Sequence, residues 1–237
     1  MILYGRNAVL EALRGRRGVR RVWVADDRLA AAVRARAAAV PLETADDAAL
    51  AEICGSTGHQ GIAAEADAYP YADAGALLAD DQALVVALDQ IQDPQNLGAV
   101  CRSAEGAGAS GLVIPERRSA EVTPAVCRAS AGAVEHLPIA RVRNLADYLG
   151  EAKRAGAWVY GADAAAERPY TDVDWAGRVV LVLGSEGRGL RPRVREACDD
   201  LLALPLRGRV ESLNVSAAAA VLLYEAVRSR AAARRGS

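Results

Sequence analysis

The sequence predicts an α/β protein in two parts: a parallel sheet covered by helices on both faces, preceded by a smaller α/β unit. Three observations predict it. From Leu84 onward six short apolar runs recur: LVVALD, GLVIP, HLPIARV, AWVYGAD, VVLVLG and LLALPL. Helical patterns lie between several of them, at about residues 97–106, 123–131, 144–154 and 192–198. Continuous apolar strands separated by helices are buried on both faces, which calls for parallel pairing. The third observation is an abrupt change of charge. Residues 1–40 hold nine arginines against three acids, a net +6; residues 41–81 hold nine acids and no base, −9. Residues 82–237 return to 20 bases and 18 acids, +2.

Taken in order, a helical pattern at residues 7–13 leads to a strand at 21–25. Alanine-rich helical stretches follow at 29–39 and 45–54, then a short strand at 60–64. These elements suffice for a small domain over residues 1–67. AYPYADAGALLADD, residues 68–81, mixes Pro, Gly and acids and reads as a linker, ending at residue 82. The alternating strands and helices of residues 83–237 form the second domain. Its last helix begins after Ser212, where Val215 and residues 217–224 are apolar on every side. Such a helix is expected to be buried all round.

Composition narrows the function. The chain has 237 residues, 52% hydrophobic and 25% charged, the balance of a soluble globular protein. No apolar run approaches the roughly 18–20 residues of a membrane span. MILYGRNAVLEAL has no basic region followed by an apolar core, so no secretory signal is expected. Cys54, Cys101, Cys127 and Cys198 lie far apart with no C-x-x-C pair. That argues against zinc and a disulfide framework, and for reduced thiols in the cytoplasm. His59 and His136 alone leave little material for metal or triad chemistry. No metal is expected. The run RGRRGVRR, residues 14–21, suits phosphate contacts, and equally a solvated loop.

Two glycine motifs are decoys. GAGASG, residues 106–111, matches the dinucleotide fingerprint, which requires a strand before it and a helix after. Here the order is inverted, so it reads as a helix-to-strand turn. GSEGRGL lacks the lysine and hydroxyl of a P-loop.

Three loops at strand ends remain. In DQIQDPQNLGAVCRSAEGAG, Pro94 stiffens the loop, and Asn96 precedes a helix with Arg102 six residues on. That placement suits recognition of an anion or a hydroxyl; an asparagine cap and a surface arginine fit the same spacing. In LVLGSEGRGL, three glycines within six residues let backbone approach a ligand, with Glu186 between two of them. A plain glycine turn is the alternative. In LALPLRGRVESLNVS, Ser212, Asn214 and Ser216 open the last helix. Ser212 could serve as its N-cap. If the helix is buried, its first turn lies against protein or ligand, and the polar groups need partners.

Together these segments resemble the SpoU (TrmH-type) branch of the SPOUT knotted RNA methyltransferases. DPQNLGAVCRSAEGAG, LVLGSEGRGL and LPLRGRVESLNVSAA look like the three signature motifs of that family, in order, across about residues 84–230. YGRNAVLEAL and HQGIAAE look like its small substrate-binding domain, as in bacterial enzymes that methylate a guanosine ribose of 23S ribosomal RNA. The resemblance implies a SPOUT methyltransferase domain with a C-terminal trefoil knot, a homodimer, and S-adenosylmethionine as cofactor. It implies Asn96, Arg102, Glu186, Ser212 and Asn214 as active-site positions, and Gly184, Leu204 and Leu213 as cofactor contacts. On that footing Arg102 clamps the target phosphate and stabilises the developing alkoxide, since an arginine pKa above about 12 makes a poor base. Asn96 and Ser212 orient the ribose hydroxyl, and Glu186 fixes Arg102 or Asn214. A tRNA ribose, a drug site on the ribosome, or a non-catalytic role in ribosome assembly are the competing readings.

Overall fold

The computed structural model describes residues 1–185, 187–209 and 212–235. In chain order these form β1 (Ile2–Tyr4), α1 (Arg6–Ala12), β2 (Val19–Val24), α2 (Asp27–Arg34), β3 (Leu42–Thr44), α3 (Asp47–Cys54) and β4 (Ile62–Ala66). Next come β5 (Leu84–Asp89), α4 (Pro94–Gly106), β6 (Gly111–Pro115), α5 (Pro124–Ala129), β7 (Ile139–Val142), α6 (Leu145–Arg154) and β8 (Trp158–Ala162). The chain ends with β9 (Arg168–Pro169), β10 (Val179–Gly184), α7 (Pro192–Ala197), β11 (Asp200–Ala203) and α8 (Val215–Arg235). They divide into two compact units.

The first unit comprises Met1–Pro70 and Glu121–His136. Its four-stranded sheet has the order β1-β4-β2-β3, with β4 antiparallel to both neighbours and β2 parallel to β3. Asp26 and Asp46 cap α2 and α3 by accepting from the amides of Leu29 and Ala49. The caps start both helices where Asp supplies an acceptor. Alanine propensity alone suggests a helix to residue 39, but α2 stops at Arg34. None of residues 35–39 is buried, so a longer helix gains no packing. The short strands β1 and β3 carry too few residues to announce themselves by alternation.

Residues 121–136 follow the first strands of the second sheet in the chain yet pack with the first unit. The guanidinium of Arg17 makes a salt bridge with Glu135, both side chains being 1% exposed. Its Nε donates to Glu135 Oε2 at 3.0 Å, and it reaches Cys127 Sγ at 3.1 Å. The same group lies 5.7 Å from the ring centroid of Tyr69. A charge buried this deeply is tolerable only with its partner in place.

The second unit comprises Tyr71–Ala120 and Leu137–Ser237. Its seven-stranded sheet has the order β7-β6-β5-β10-β8-β11-β9, and every pairing is parallel. LVVALD of β5 is buried at every position, as a central strand must be. Residues 71–82 are not a free tether: Ala72 bridges Ala140, and Leu77 and Leu78 lie in this unit's core. GAGASG is the helix-to-strand turn its order suggests, α4 ending at Gly106 and β6 starting at Gly111. The apolar run at 201–206 suggests a longer strand, but β11 closes at Ala203. Pro205 has no N–H to donate, so pairing ends before it.

Helix α8 packs along α4. The expectation that it is buried all round does not hold within one chain. Val221, Tyr224 and Val227 are 41%, 54% and 37% exposed. One face meets α4 and the sheet; the other is open, since none of the described residues lies over it.

Candidate active site

The centre of the sheet sets the site. β5 and β10 run side by side with Gly184 in register with Asp89, so both chains leave the sheet at the same level. Ligands of open α/β sheets bind outside such carboxyl ends. Asp89 is 1% exposed and holds Arg191 through its backbone N at 2.8 Å and its Nε at 2.7 Å. This pair ties the end of β5 to the entry of α7.

Asp93 caps α4 by accepting from the amide of Gln95 at 2.9 Å, and Pro94 occupies the first turn. Asn96 is therefore third in the helix and is not its cap. Its side chain accepts from Asn214 Nδ2 at 2.9 Å. Asn214, not Ser212, closes the start of α8: its Oδ1 accepts from the Ser216 amide at 2.8 Å and from the Ser216 hydroxyl at 2.5 Å. One amide group thus caps α8 with its oxygen and joins it to the first turn of α4 with its nitrogen.

The glycine loop after β10 folds back on itself. Ser185 and Gly189 form a bridge, and the Gly189 amide donates to the Ser185 carbonyl at 2.9 Å. A Cβ on Gly184 would sit 2.2 Å from the Gly189 carbonyl carbon, a clash of backbone with no room to yield. Gly189 itself has φ +63, a conformation that favours glycine.

Two adjoining cavities flank this loop. The first, about 450 Å³, is lined by Leu183, Gly184, Leu204, Ser212, Leu213 and Val215 among others. The second, about 290 Å³, is lined by Gln90, Asp93, Asn96, Ser185, Arg188 and Val215 among others. Ser185, Arg188 and Val215 belong to both walls. The three expected cofactor contacts therefore share one cavity with Ser212, while Asn96 lines its neighbour.

Arg102 is placed differently. It is exposed on α4 and lines neither cavity. Six residues of helix put it about 120° round and about 9 Å beyond Asn96. Glu186 lies outside the described residues.

Several groups escape a reading of the motifs. Arg188 stands between the two cavities, and Asp163, at the end of β8, lines the first and pairs with Arg195. Asp89 carried one usable signal, an acid closing a wholly apolar strand. Cys198 packs where a side chain on Gly161 would stand, and burial pushes its thiol up to about 12. It is no nucleophile at neutral pH. Among the described residues no three His, Cys, Asp or Glu side chains converge as a metal site.

Residues 83–224 match the model of the SpoU rRNA Methylase family, and residues 2–72 match that for RNA 2′-O ribose methyltransferase substrate binding. The chain is 39% identical to YacO of Bacillus subtilis (strain 168), named as a TrmH family tRNA/rRNA methyltransferase, over 95% of this chain and 94% of that one. It superposes with a TM-score of 0.83 on the SpoU methyltransferase AviRb of Streptomyces viridochromogenes in complex with AdoMet, at 27% identity and over 97% and 90% of the two chains. An AdoMet-bound rRNA methyltransferase of Sinorhizobium meliloti gives 0.81 at 27% identity, over 96% and 86%. The TrmH/SpoU tRNA modifying enzyme of A. aeolicus gives 0.58 at 28% identity, over 66% of this chain and 80% of that one.

Proposed function

The chain belongs to the SpoU family of S-adenosylmethionine-dependent RNA 2′-O-ribose methyltransferases, and from that premise we propose that it modifies a guanosine ribose of 23S ribosomal RNA. The observation that carries the choice of RNA is coverage. The rRNA enzyme of S. meliloti aligns with 96% of the chain, the tRNA enzyme of A. aeolicus with 66%. A match to a substrate-binding model at residues 2–72 supports the same reading. A tRNA ribose is the second reading, since relatives such as YacO carry both RNAs in their names.

The first cavity suits S-adenosylmethionine. About 450 Å³ lies within the usual ligand range of roughly 300–1,000 Å³. Leu183, Leu204, Leu206 and Leu213 give an apolar sleeve, and the glycine loop offers bare backbone to polar edges. Gly184, Leu204 and Leu213 would hold the cofactor there. S-adenosylmethionine supplies an electrophilic methyl group on a sulfonium, which leaves without metal assistance.

The neighbouring cavity is the place for the target nucleotide. Asn96, its amide oriented by Asn214, lines that cavity, and Ser212, in the wall of the first, is assigned from its motif; between them they position the 2′-hydroxyl where the two cavities adjoin. Its oxygen forms the new bond to carbon as the carbon–sulfur bond breaks, and its proton leaves to a phosphate oxygen or water. Alignment of this kind can remove roughly 7–11 kcal/mol from a barrier in ideal cases. Arg102 lines neither cavity; its grip on the target phosphate and its stabilisation of the alkoxide are assigned from its motif, and require the RNA to reach over the exposed face of α4. Glu186 is assigned from its motif, as the residue that fixes Arg102 or Asn214.

The knot and the homodimer belong to the same reading. After β11 the chain runs back past the glycine loop onto α4, so that Val215 lines both cavities. The open face of α8, with Val221, Tyr224 and Val227, is the surface a second copy would cover. Four free cysteines suit a cytoplasmic site of action.

The test is methyl transfer by the pure protein from labelled S-adenosylmethionine to transcribed 23S rRNA and to tRNA, with and without EDTA. Transfer to one 23S guanosine, unchanged by EDTA, is the expected outcome. Transfer to tRNA alone, or a strict metal requirement, overturns the proposal.

A further inference from the structure

We infer that three arginines on the catalytic unit, Arg117, Arg118 and Arg143, form a track for the RNA backbone leading to the target cavity. The inference rests on the RNA reading above and goes beyond it, since nothing in that reading says where the flanking phosphates bind.

The arginine-rich N-terminal arm is the obvious candidate from sequence, and the structure largely removes it. Arg17 is buried against Glu135. Arg20 pairs with Asp67 at 2.6 Å, Arg21 with Glu43 at 3.3 Å and Arg14 with Glu11 at 3.6 Å. Each of these four cations already faces an acid, and only Arg16 of the run has no salt bridge among the described residues.

The sheet edge of the second unit is the opposite case. Arg117, Arg118 and Arg143 are exposed, and none has a salt bridge among the described residues. Arg117 and Arg118 follow β6; Arg143 follows β7. The two strands pair up to Pro115 and Val142, and the Glu116 amide donates to the Val142 carbonyl at 2.9 Å. The three arginines therefore leave adjacent strands, roughly 5 Å apart, at one level. The far end of the β6 turn is bonded to the target cavity: Ala120 N and Ser119 Oγ both donate to the Ile91 carbonyl, at 2.8 and 3.3 Å. Ile91 lines that cavity, and Arg188 stands in its wall. Arg118 holds φ +58, a left-handed conformation uncommon for a non-glycine residue, as does Gln90 in the wall of the target cavity. The acids nearby are few. Glu116 is exposed on the same turn, and Asp93 is engaged in capping α4. Three uncommitted guanidinium groups beside a nucleotide-sized cavity suit phosphodiesters, which Arg grips in bidentate fashion.

The experiment uses full-length protein, an Arg117→Gln/Arg118→Gln/Arg143→Gln variant and an Arg20→Gln/Arg21→Gln control, with transcribed 23S rRNA as probe. Binding is measured over a range of salt concentrations, and methyl transfer is scored separately. The triple variant should lose about two to three from the slope of log K against log salt, since each phosphate contact contributes about 0.7–0.9. Its KM for RNA should rise at least tenfold, with kcat and S-adenosylmethionine affinity unchanged. The control should keep the wild-type slope. Wild-type affinity and slope in the triple variant, or the loss appearing in the control instead, would overturn the track. Wild-type protein that transfers no methyl group to any RNA would instead sink the functional reading, and the slopes would still decide the track.

Discussion

At the scale of residues, the Asn96–Asn214 hydrogen bond is the centre of the account. The motifs made both residues candidates, but spacing could not separate an asparagine that caps a helix from one that serves a site. Structure separates them: Asp93, not Asn96, caps α4, while Asn214 caps α8 and still reaches Asn96 with its nitrogen. Pairing across 118 residues of chain leaves no local trace in sequence. Asn96→Ala should lower kcat at least tenfold while S-adenosylmethionine binding, measured by calorimetry, changes little. Arg102→Ala should abolish transfer with cofactor affinity largely kept, and Arg102→Lys should fail nearly as badly, because an ammonium cannot grip phosphate in two places. Near-wild-type turnover in Arg102→Ala would remove that residue from the mechanism. The buried thiols give a pH prediction. Burial holds Cys127 up to about 11 and Cys198 up to about 12, whereas unfolded thiols ionise near 8.5–9. From about pH 9 to 11 the folded state binds more protons than the unfolded one, so stability must fall as pH rises through that window. Urea midpoints at pH 8, 9, 10 and 11 should decline, and less steeply for a Cys127→Ala/Cys198→Ala variant.

At the scale of elements, strands of the second sheet were readable because continuous burial leaves continuous apolar sequence. The edges were not. β9 has two residues, β1 and β3 three each, and Pro205 ended β11 earlier than its apolar run implied. Ending there lets Leu204 and Leu206 line the first cavity. The glycine loop was legible as close-approach backbone, but its closeness is to itself: the contact that forbids a side chain on Gly184 is Gly189. Gly184→Ala should therefore open the loop and weaken S-adenosylmethionine binding at least tenfold by calorimetry, with strand content by circular dichroism retained. Unchanged affinity would mean that the loop's shape does not form the cofactor wall. The apolar circumference of α8 predicts burial on every side, yet a single chain leaves Tyr224 more than half exposed. Tyr224→Asp should shift sedimentation from dimer toward monomer; a wild-type protein that sediments as a monomer would contradict the proposed second copy.

At the scale of the whole molecule, chain order misled in one respect. Residues 121–136 lie in sequence among the strands of the catalytic sheet, yet they complete the first unit, around a salt bridge between Arg17 and Glu135. No window of sequence could pair an arginine in a basic arm with an acid 118 residues later. The consequence concerns truncation. A chain starting near Asp80 would keep the site loops, as their positions suggest, but would strip Arg17 from a carboxylate 1% exposed. Arg17→Met should cost about 3–5 kcal/mol in urea unfolding, the range for breaking a buried pair. A truncated chain should aggregate, because residues 121–136 lose the unit they pack with. The proposed substrate of the whole enzyme is a guanosine ribose of 23S rRNA. The most direct test is to map ribose methylation across ribosomal RNA and tRNA from cells lacking the protein. One 2′-O-methylguanosine should be lost from 23S rRNA, restored by the wild-type gene and not by a gene carrying Arg102→Ala. An unchanged 23S map with a methyl group lost from tRNA would contradict that assignment.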